Sequence, residues 1–191
     1  SACSYDAIIA VLSTYAKAET VRVTIPEGTT AIAIAQKMEA AGLCSAEDFL
    51  KEANEGDFSE YTFWQYVPDD ADAPDRFMKC EGYLFPDTYQ FYLNDKPENV
   101  LGKFLRNFES KITDDMYAAV DELNDRLAAQ MRVNNFTEQE IESAKLSFHD
   151  VIIVASLVEK ETAKTSESAS IASVIYNRLC SKLYPCLQID A

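Results

Sequence analysis

The sequence predicts an α+β protein that is mostly helical, and three observations carry the prediction. A single alternating stretch, Val21-Arg22-Val23-Thr24-Ile25, reads as a half-buried strand. Apolar residues at helical spacing follow it directly and recur with few interruptions from Pro97 to Lys182. Hydrophobic residues make up 48% of the 191 residues, with only 5 Gly and 6 Pro, a composition that supports a packed core rather than disorder. That length, about 1.3 typical domains, suits one domain or a small module joined to a larger one.

The elements follow in order. Residues 5–15 place Ile8, Ile9, Val11, Leu12 and Tyr15 on one helical face after a Ser4 or Asp6 cap. The strand ends at Pro26-Glu27-Gly28. Thr29 or Thr30 then caps a helix bearing Ile32, Ile34, Ala35 and Met38, which Gly42 stops. Ser45-Ala46-Glu47-Asp48 resembles a capping box and starts a second helix with Phe49 and Leu50. This gives a β-α-α module over residues 21–55, preceded by the N-terminal helix within 1–20. Residues 56–80 read as a linker with helical pieces, its aromatics Tyr61, Phe63, Trp64, Tyr66 and Phe77 packing between modules. Its acidic cluster, Asp69, Asp70, Asp72 and Asp75, lacks the Gly-centred spacing of a calcium loop and reads as solvated.

Residues 81–191 form the second, larger domain. Around Pro86 the aromatic run from Glu81 to Phe91 is expected as two short extended pieces about a turn. A long helical pattern from Pro97 to Val133 breaks near Thr113, and Thr137 starts a short helix ending before Ser147. Ser147 and Asp150 read as the cap of a helix from Phe148 to Thr162, and Ser166 as the cap of one from Glu167 to Lys182.

Charge and rare residues exclude several functions. With 17 Lys and Arg against 32 Asp and Glu, the net charge of −15 repels phosphate backbones, so nucleic acid is not an expected partner. The longest apolar run, Val151 to Val158, is far short of the roughly 20 residues that span a bilayer. Five cysteines, at 3, 44, 80, 180 and 186, contain no C-x-x-C pair and read as isolated thiols, with Cys180 and Cys186 close enough in sequence to bridge. No metal site or cofactor is expected. The single histidine, His149, sits in a helix's first turn, where a structural role outweighs catalysis.

The helix from Phe148 is apolar on nearly every side, which predicts burial by its neighbours. Glu161 follows Val154, Leu157 and Val158 along one stripe, so its carboxylate extends apolar surface. Desolvation and the negative end of the helix dipole would raise its pKa toward neutrality, as a general acid requires. Glu159 shares a face with Ile152, Ala155 and Ser156. Periodicity alone does not choose between the two glutamates, and both also fit solvated charges at a helix end. Arg178, beside Val174, suits a partner for a buried carboxylate, a binder of a carboxylated ligand, or an ordinary surface cation.

Five blocks in order give these residues a context: Val23-Thr24-Ile25-Pro26-Glu27-Gly28-Thr29, Glu81-Gly82-Tyr83-Leu84-Phe85-Pro86-Asp87-Thr88-Tyr89, Ala155-Ser156-Leu157-Val158-Glu159-Lys160-Glu161-Thr162, Ile171-Ala172-Ser173-Val174-Ile175-Tyr176-Asn177-Arg178-Leu179 and Leu187-Gln188-Ile189-Asp190. Together they resemble the YceG-like, or MltG, family of endolytic murein transglycosylases. The resemblance implies a bacterial extracytoplasmic enzyme held at the cell membrane by an anchor outside this fragment. It makes 21–55 a LysM-like module and 81–191 a catalytic domain incomplete at its C-terminus. It places the catalytic glutamate in Glu159-Lys160-Glu161, assigned to Glu161, with Glu161-Thr162 similar to the Glu-Ser pair of other lytic transglycosylases.

By the same resemblance, Glu161 protonates the oxygen between N-acetylmuramic acid and N-acetylglucosamine. It then takes the C6 hydroxyl proton as that oxygen closes onto C1 in a 1,6-anhydro ring. One carboxyl suffices for this, whereas a hydrolase would need a second. Glu81, Asp87, Tyr89, Asn177, Arg178 and Gln188 are the candidates for shaping the sugar groove, with structural roles for Glu81 and Asp87 equally open. The implied partners are peptidoglycan glycan strands and cell-wall synthases. The competing reading is a noncatalytic peptidoglycan-binding or scaffolding protein of the cell-wall synthesis machinery.

Overall fold

A two-stranded sheet is marginal alone in water and persists only where one face packs on helices. The computed structural model, which describes residues 4–6, 9, 19–68, 78–162, 165–183 and 187, contains such a sheet. β1 (Thr20–Thr24) pairs antiparallel with β2 (Thr88–Tyr92), placing Val21 opposite Phe91 and Val23 opposite Tyr89. Thr20, Arg22, Thr24, Thr88, Gln90 and Tyr92 face water. Register is held by the Thr24–Thr88 hydroxyl pair (2.8 Å), and by Gln90 Nε2 donating to Thr20 Oγ1 (2.8 Å). Backbone bonds Ile25 N to Asp87 O and Leu93 N to Glu19 O make the odd-numbered β1 residues the hydrogen-bonded positions. Gln90 therefore turns its backbone groups to the outer edge of β2, where Lys103 Nζ donates to its carbonyl and lies 5.1 Å from the Phe91 ring centroid.

The helices of this unit start where local side chains supply their missing acceptors. Thr30 caps α1 (Ala31–Ala40) by accepting from Ala33 N, and Ser45 caps α2 (Ala46–Glu55) by accepting from Asp48 N. Gly42, at φ 73°, ends α1. Ile34, Met38, Phe49, Phe91, Val100, Leu101 and Phe104 are fully buried, and the Tyr89 ring centroid lies 4.4 Å from that of Phe104. Each such side chain contributes about 1.5–3 kcal/mol, well above any single surface hydrogen bond, so burial dominates here. The helix α3 (Pro97–Lys111) gives residues 97–104 to this unit, which comprises 1–56 and 86–104. Residues 21–55 are thus completed by a strand from after the expected linker. Of the predicted N-terminal helix, Tyr5, Asp6 and Ile9 are helical, and its other core positions lie outside the described residues.

The second unit, 57–85 and 105–191, is built on aromatic rings. Within the expected linker, residues 58–67 are core: Phe58, Tyr61, Phe63 and Val67 are buried, with Thr62–Tyr66 a 3-10 turn. Phe63 stacks on Tyr83 at 5.2 Å and 15° and meets Phe108 edge-on at 4.7 Å. The Glu109 carboxylate receives Thr62 N at 3.0 Å and the Thr62 hydroxyl, fixing the turn to α3. Phe77 and the cluster Asp69 to Asp75 lie outside the described residues. Before Pro86 the chain is a turn rather than an extended piece, so the aromatic run yields one strand, not two.

The predicted break near Thr113 separates α3 from α4 (Asp114–Val133). Thr137 and Glu140 close a capping box on α5 (Glu138–Ser143), as Ser147 and Asp150 do on α6 (Phe148–Glu161). Asn124 clamps the approach to α6, its amide bonding both backbone groups of Leu146 at 2.9 Å. The last helix, α7 (Ser168–Leu179), follows a 3-10 turn, Thr165–Glu167, and its N-cap is Glu167 instead of the expected Ser166. Its end is held by Asn134 Nδ2 donating to Cys180 O (2.6 Å) and by burial of Cys180 with Met131 and Ile141. Cys180 is a thiol whose Sγ donates to Leu127 O at 3.7 Å, while Cys3 and Cys186 lie outside the described residues. Among the described residues no helix is long and apolar enough to cross a membrane.

Because Phe63 is core, Phe63→Ala should cost about 3–5 kcal/mol. A urea-unfolding midpoint unchanged from wild type would return the segment to linker status.

Candidate functional site

α6 positions Glu161. One stripe of the helix, Val154 and Val158, packs with Ile175 of α7, joined by Leu157, Ile171, Ala172, Tyr176 and Leu187. The opposite side is open: Ile153 is 45% exposed, and Ala155 and Ser156 are exposed too. This corrects the expectation of a helix buried by its neighbours on nearly every side: the described residues cover its α7 face and its first turns and leave Ile153, Ala155 and Ser156 exposed. Glu161 is the last residue of α6 and is exposed, as are Glu159 and Lys160. The half-dry setting expected for Glu161 is not supplied by the described residues, and exposure does not separate it from Glu159. Thr162 donates its hydroxyl to Val158 O, closing the last turn behind Glu161. At the α6–α7 seam, burial pushes the Tyr176 phenol up, so it stays neutral and donates or accepts without charge.

The turn carrying Glu81 lies against the other end of α6. Glu81 N donates to Met78 O (3.3 Å) and Tyr83 N to Cys80 O (3.1 Å). Between them Gly82 has φ 86°, and a Cβ there would stand 2.9 Å from Ile152 Cγ2. Tyr83, fully buried, shares a 2.6 Å hydrogen bond from its Oη to His149 Nδ1, and the two rings stack at 5.9 Å and 12°. His149 thus has the structural role expected of it. Ile152 and Glu161 are two and a half helical turns apart, about 13 Å along the axis, so the Glu81 turn and Glu161 are not brought together by this packing.

The other predicted residues divide between the units. In the first, Asp87 serves a turn: its Oδ1 accepts from Thr88 N (2.7 Å) and its carbonyl accepts from Ile25 N (2.9 Å). Tyr89 is 8% exposed, with its ring in the core against Phe104. In the second unit, Asn177 is exposed on α7. Arg178 lies in the last turn of α7, a 12-residue helix about 18 Å long, and donates through Nη1 to Leu187 O. Gln188 lies outside the described residues. Among the described residues no three His, Cys, Asp or Glu stand close enough to hold a metal ion. Sequence reasoning passed over Gly82 and Tyr83 in favour of Glu81. The available signal was a glycine inside an aromatic run, which marks close backbone approach.

Comparison with known families matches the YceG-like family over residues 1–191. The chain belongs to the YceG-like family. An endolytic murein transglycosylase of Streptococcus pneumoniae R6 is 31% identical over 167 residues, covering 82% of this chain and 26% of that protein. One from Bacillus subtilis 168 is 27% identical over 183 residues, covering 93% of this chain and 44% of that protein. The chain therefore spans between about a quarter and somewhat under half of these relatives. Among solved structures, a YceG-like protein of Listeria monocytogenes superposes with a TM-score of 0.59 at 24% identity, covering 93% of this chain and 53% of that one. That likeness agrees with the mostly helical α+β fold.

In this YceG-like chain the Glu81-Gly82-Tyr83 turn is an anchoring piece within the second unit: Gly82 gives the turn its approach to α6, and Tyr83 locks it. Gly82→Ala places a methyl against Ile152 and strains a left-handed backbone, so it should lower stability by about 1–3 kcal/mol. Thermal unfolding monitored by circular dichroism reads the loss, and an unchanged midpoint would mean the turn does not bear on α6.

Proposed function

We propose that the protein to which this chain belongs is an endolytic lytic transglycosylase of peptidoglycan, acting at the extracytoplasmic face of a bacterial membrane, with Glu161 as its single acid and base. The family match along the entire chain carries the reading. The choice of Glu161 over Glu159 rests on the family resemblance of the Glu159-Lys160-Glu161-Thr162 segment, since both side chains are exposed at the end of α6.

In the protonated state Glu161 gives its proton to the glycosidic oxygen as the bond to C1 of N-acetylmuramic acid breaks. The carboxylate so formed takes the proton of the C6 hydroxyl, and that oxygen bonds to C1. The proton lost in the first half is regained in the second, no water is consumed, and no cofactor enters. Asn177, exposed on α7, is proposed to line the sugar groove. Residues 21–55, together with β2, are proposed as a LysM-like module that holds the glycan strand, and cell-wall synthases as partners.

Glu161→Gln in the full-length protein keeps the shape and removes the proton. It should reduce release of 1,6-anhydro-muropeptides, read by mass spectrometry, at least about a hundredfold. Unchanged release would remove Glu161 from the mechanism and favour a binding or scaffolding role. Products with ordinary reducing ends would make the enzyme a hydrolase.

A further inference from the structure

We infer that Arg178 is a positioning residue, resting on the function proposed above: its guanidinium fixes Leu187 over the α6–α7 seam whose last turn carries Glu161. The half-buried Arg178 side chain donates through Nη1 to the Leu187 carbonyl. Leu187, itself half-buried, packs on the cluster of Val154, Val158 and Ile175. Val158 is one turn before Glu161, and the Thr162 hydroxyl returns to the Val158 carbonyl, so these residues form one piece. Arg178 and Leu187 thus clasp that piece from the α7 side.

The chemistry suits a clasp. A guanidinium is planar, permanently charged and loses little freedom per hydrogen bond, and its bonds to neutral acceptors are stronger than those of an amide donor. A carbonyl oxygen needs a donor and is indifferent to ionic strength in a way that a ligand carboxylate is not. Arginine acting on a substrate carboxylate raises KM when removed and does so in a salt-dependent manner. Arginine acting through Leu187 changes the order of the seam and the turnover while substrate affinity stays as it was.

The experiment uses the full-length protein with Arg178→Ala, Arg178→Gln and Arg178→Lys, on soluble glycan strands at low and high salt. Amide hydrogen exchange across residues 183–191 is measured without substrate. Expected for Arg178→Ala are a roughly tenfold fall in kcat, KM within about twofold of wild type at both salts, and exchange about tenfold faster at Leu187. Arg178→Gln and Arg178→Lys, which keep donors, should recover part of both losses. A raised, salt-sensitive KM with exchange as in wild type would overturn the proposal in favour of ligand binding, and wild-type behaviour throughout would overturn it outright. If Arg178→Ala does not fold, exchange and kcat in Arg178→Lys decide the matter. If Glu161→Gln leaves turnover intact, the functional reading falls, yet faster exchange at Leu187 would still establish the clasp.

Discussion

The ring of Tyr83 is the meeting point on which the second unit depends. One of its neighbours is Phe63 from the 3-10 turn, another is Phe108 from α3, and its hydroxyl reaches His149 in the first turn of α6. Three segments distant in sequence are thus joined by one side chain with no exposed surface. Aromatic pairs contribute beyond their buried area because edge and face carry opposite partial charge, and a buried tyrosine hydroxyl must find a partner. Both demands are met by α6 as it sits here, and the same helix carries Glu161 at its other end.

What was legible in the sequence was local. Caps at Thr30, Ser45, Thr137 and Ser147 were readable because a side chain and the amide it serves are three residues apart. The break near Thr113 falls where the structure parts α3 from α4, although the apolar spacing runs on through Phe108, Ile112, Met116 and Val120. Ser166 misled because the chain inserts a 3-10 turn before α7, and nothing in Thr165-Ser166-Glu167 distinguishes the two geometries.

Non-local features were not legible. β1 finds its partner 64 residues away across Thr24 and Thr88, and no pattern in residues 21–55 points there. Aromatics at 58–67 looked like linker because Gly56 and Pro68 flank them, although their burial makes them core. For the candidate site, the position of Glu161 at the end of α6 was readable from periodicity, while the choice between a shielded and a solvated carboxylate was not. An apolar pattern states which residues prefer burial and is silent on how many neighbours are present to provide it. Arg178 is similar: its type announces a bidentate donor, and only coordinates name the Leu187 carbonyl as acceptor.

Lys103 has a consequence for how this chain meets others. The carbonyl it reaches, on Gln90, points off the side of β2 that pairs with no strand among the described residues, where a bare ladder would invite another extended peptide to join. With an ammonium seated at that rung and held against aromatic faces, an incoming strand must strip a charge of its acceptor before it can zip on. Among the described residues the sheet has two strands, and a charge placed at this rung opposes the addition of another.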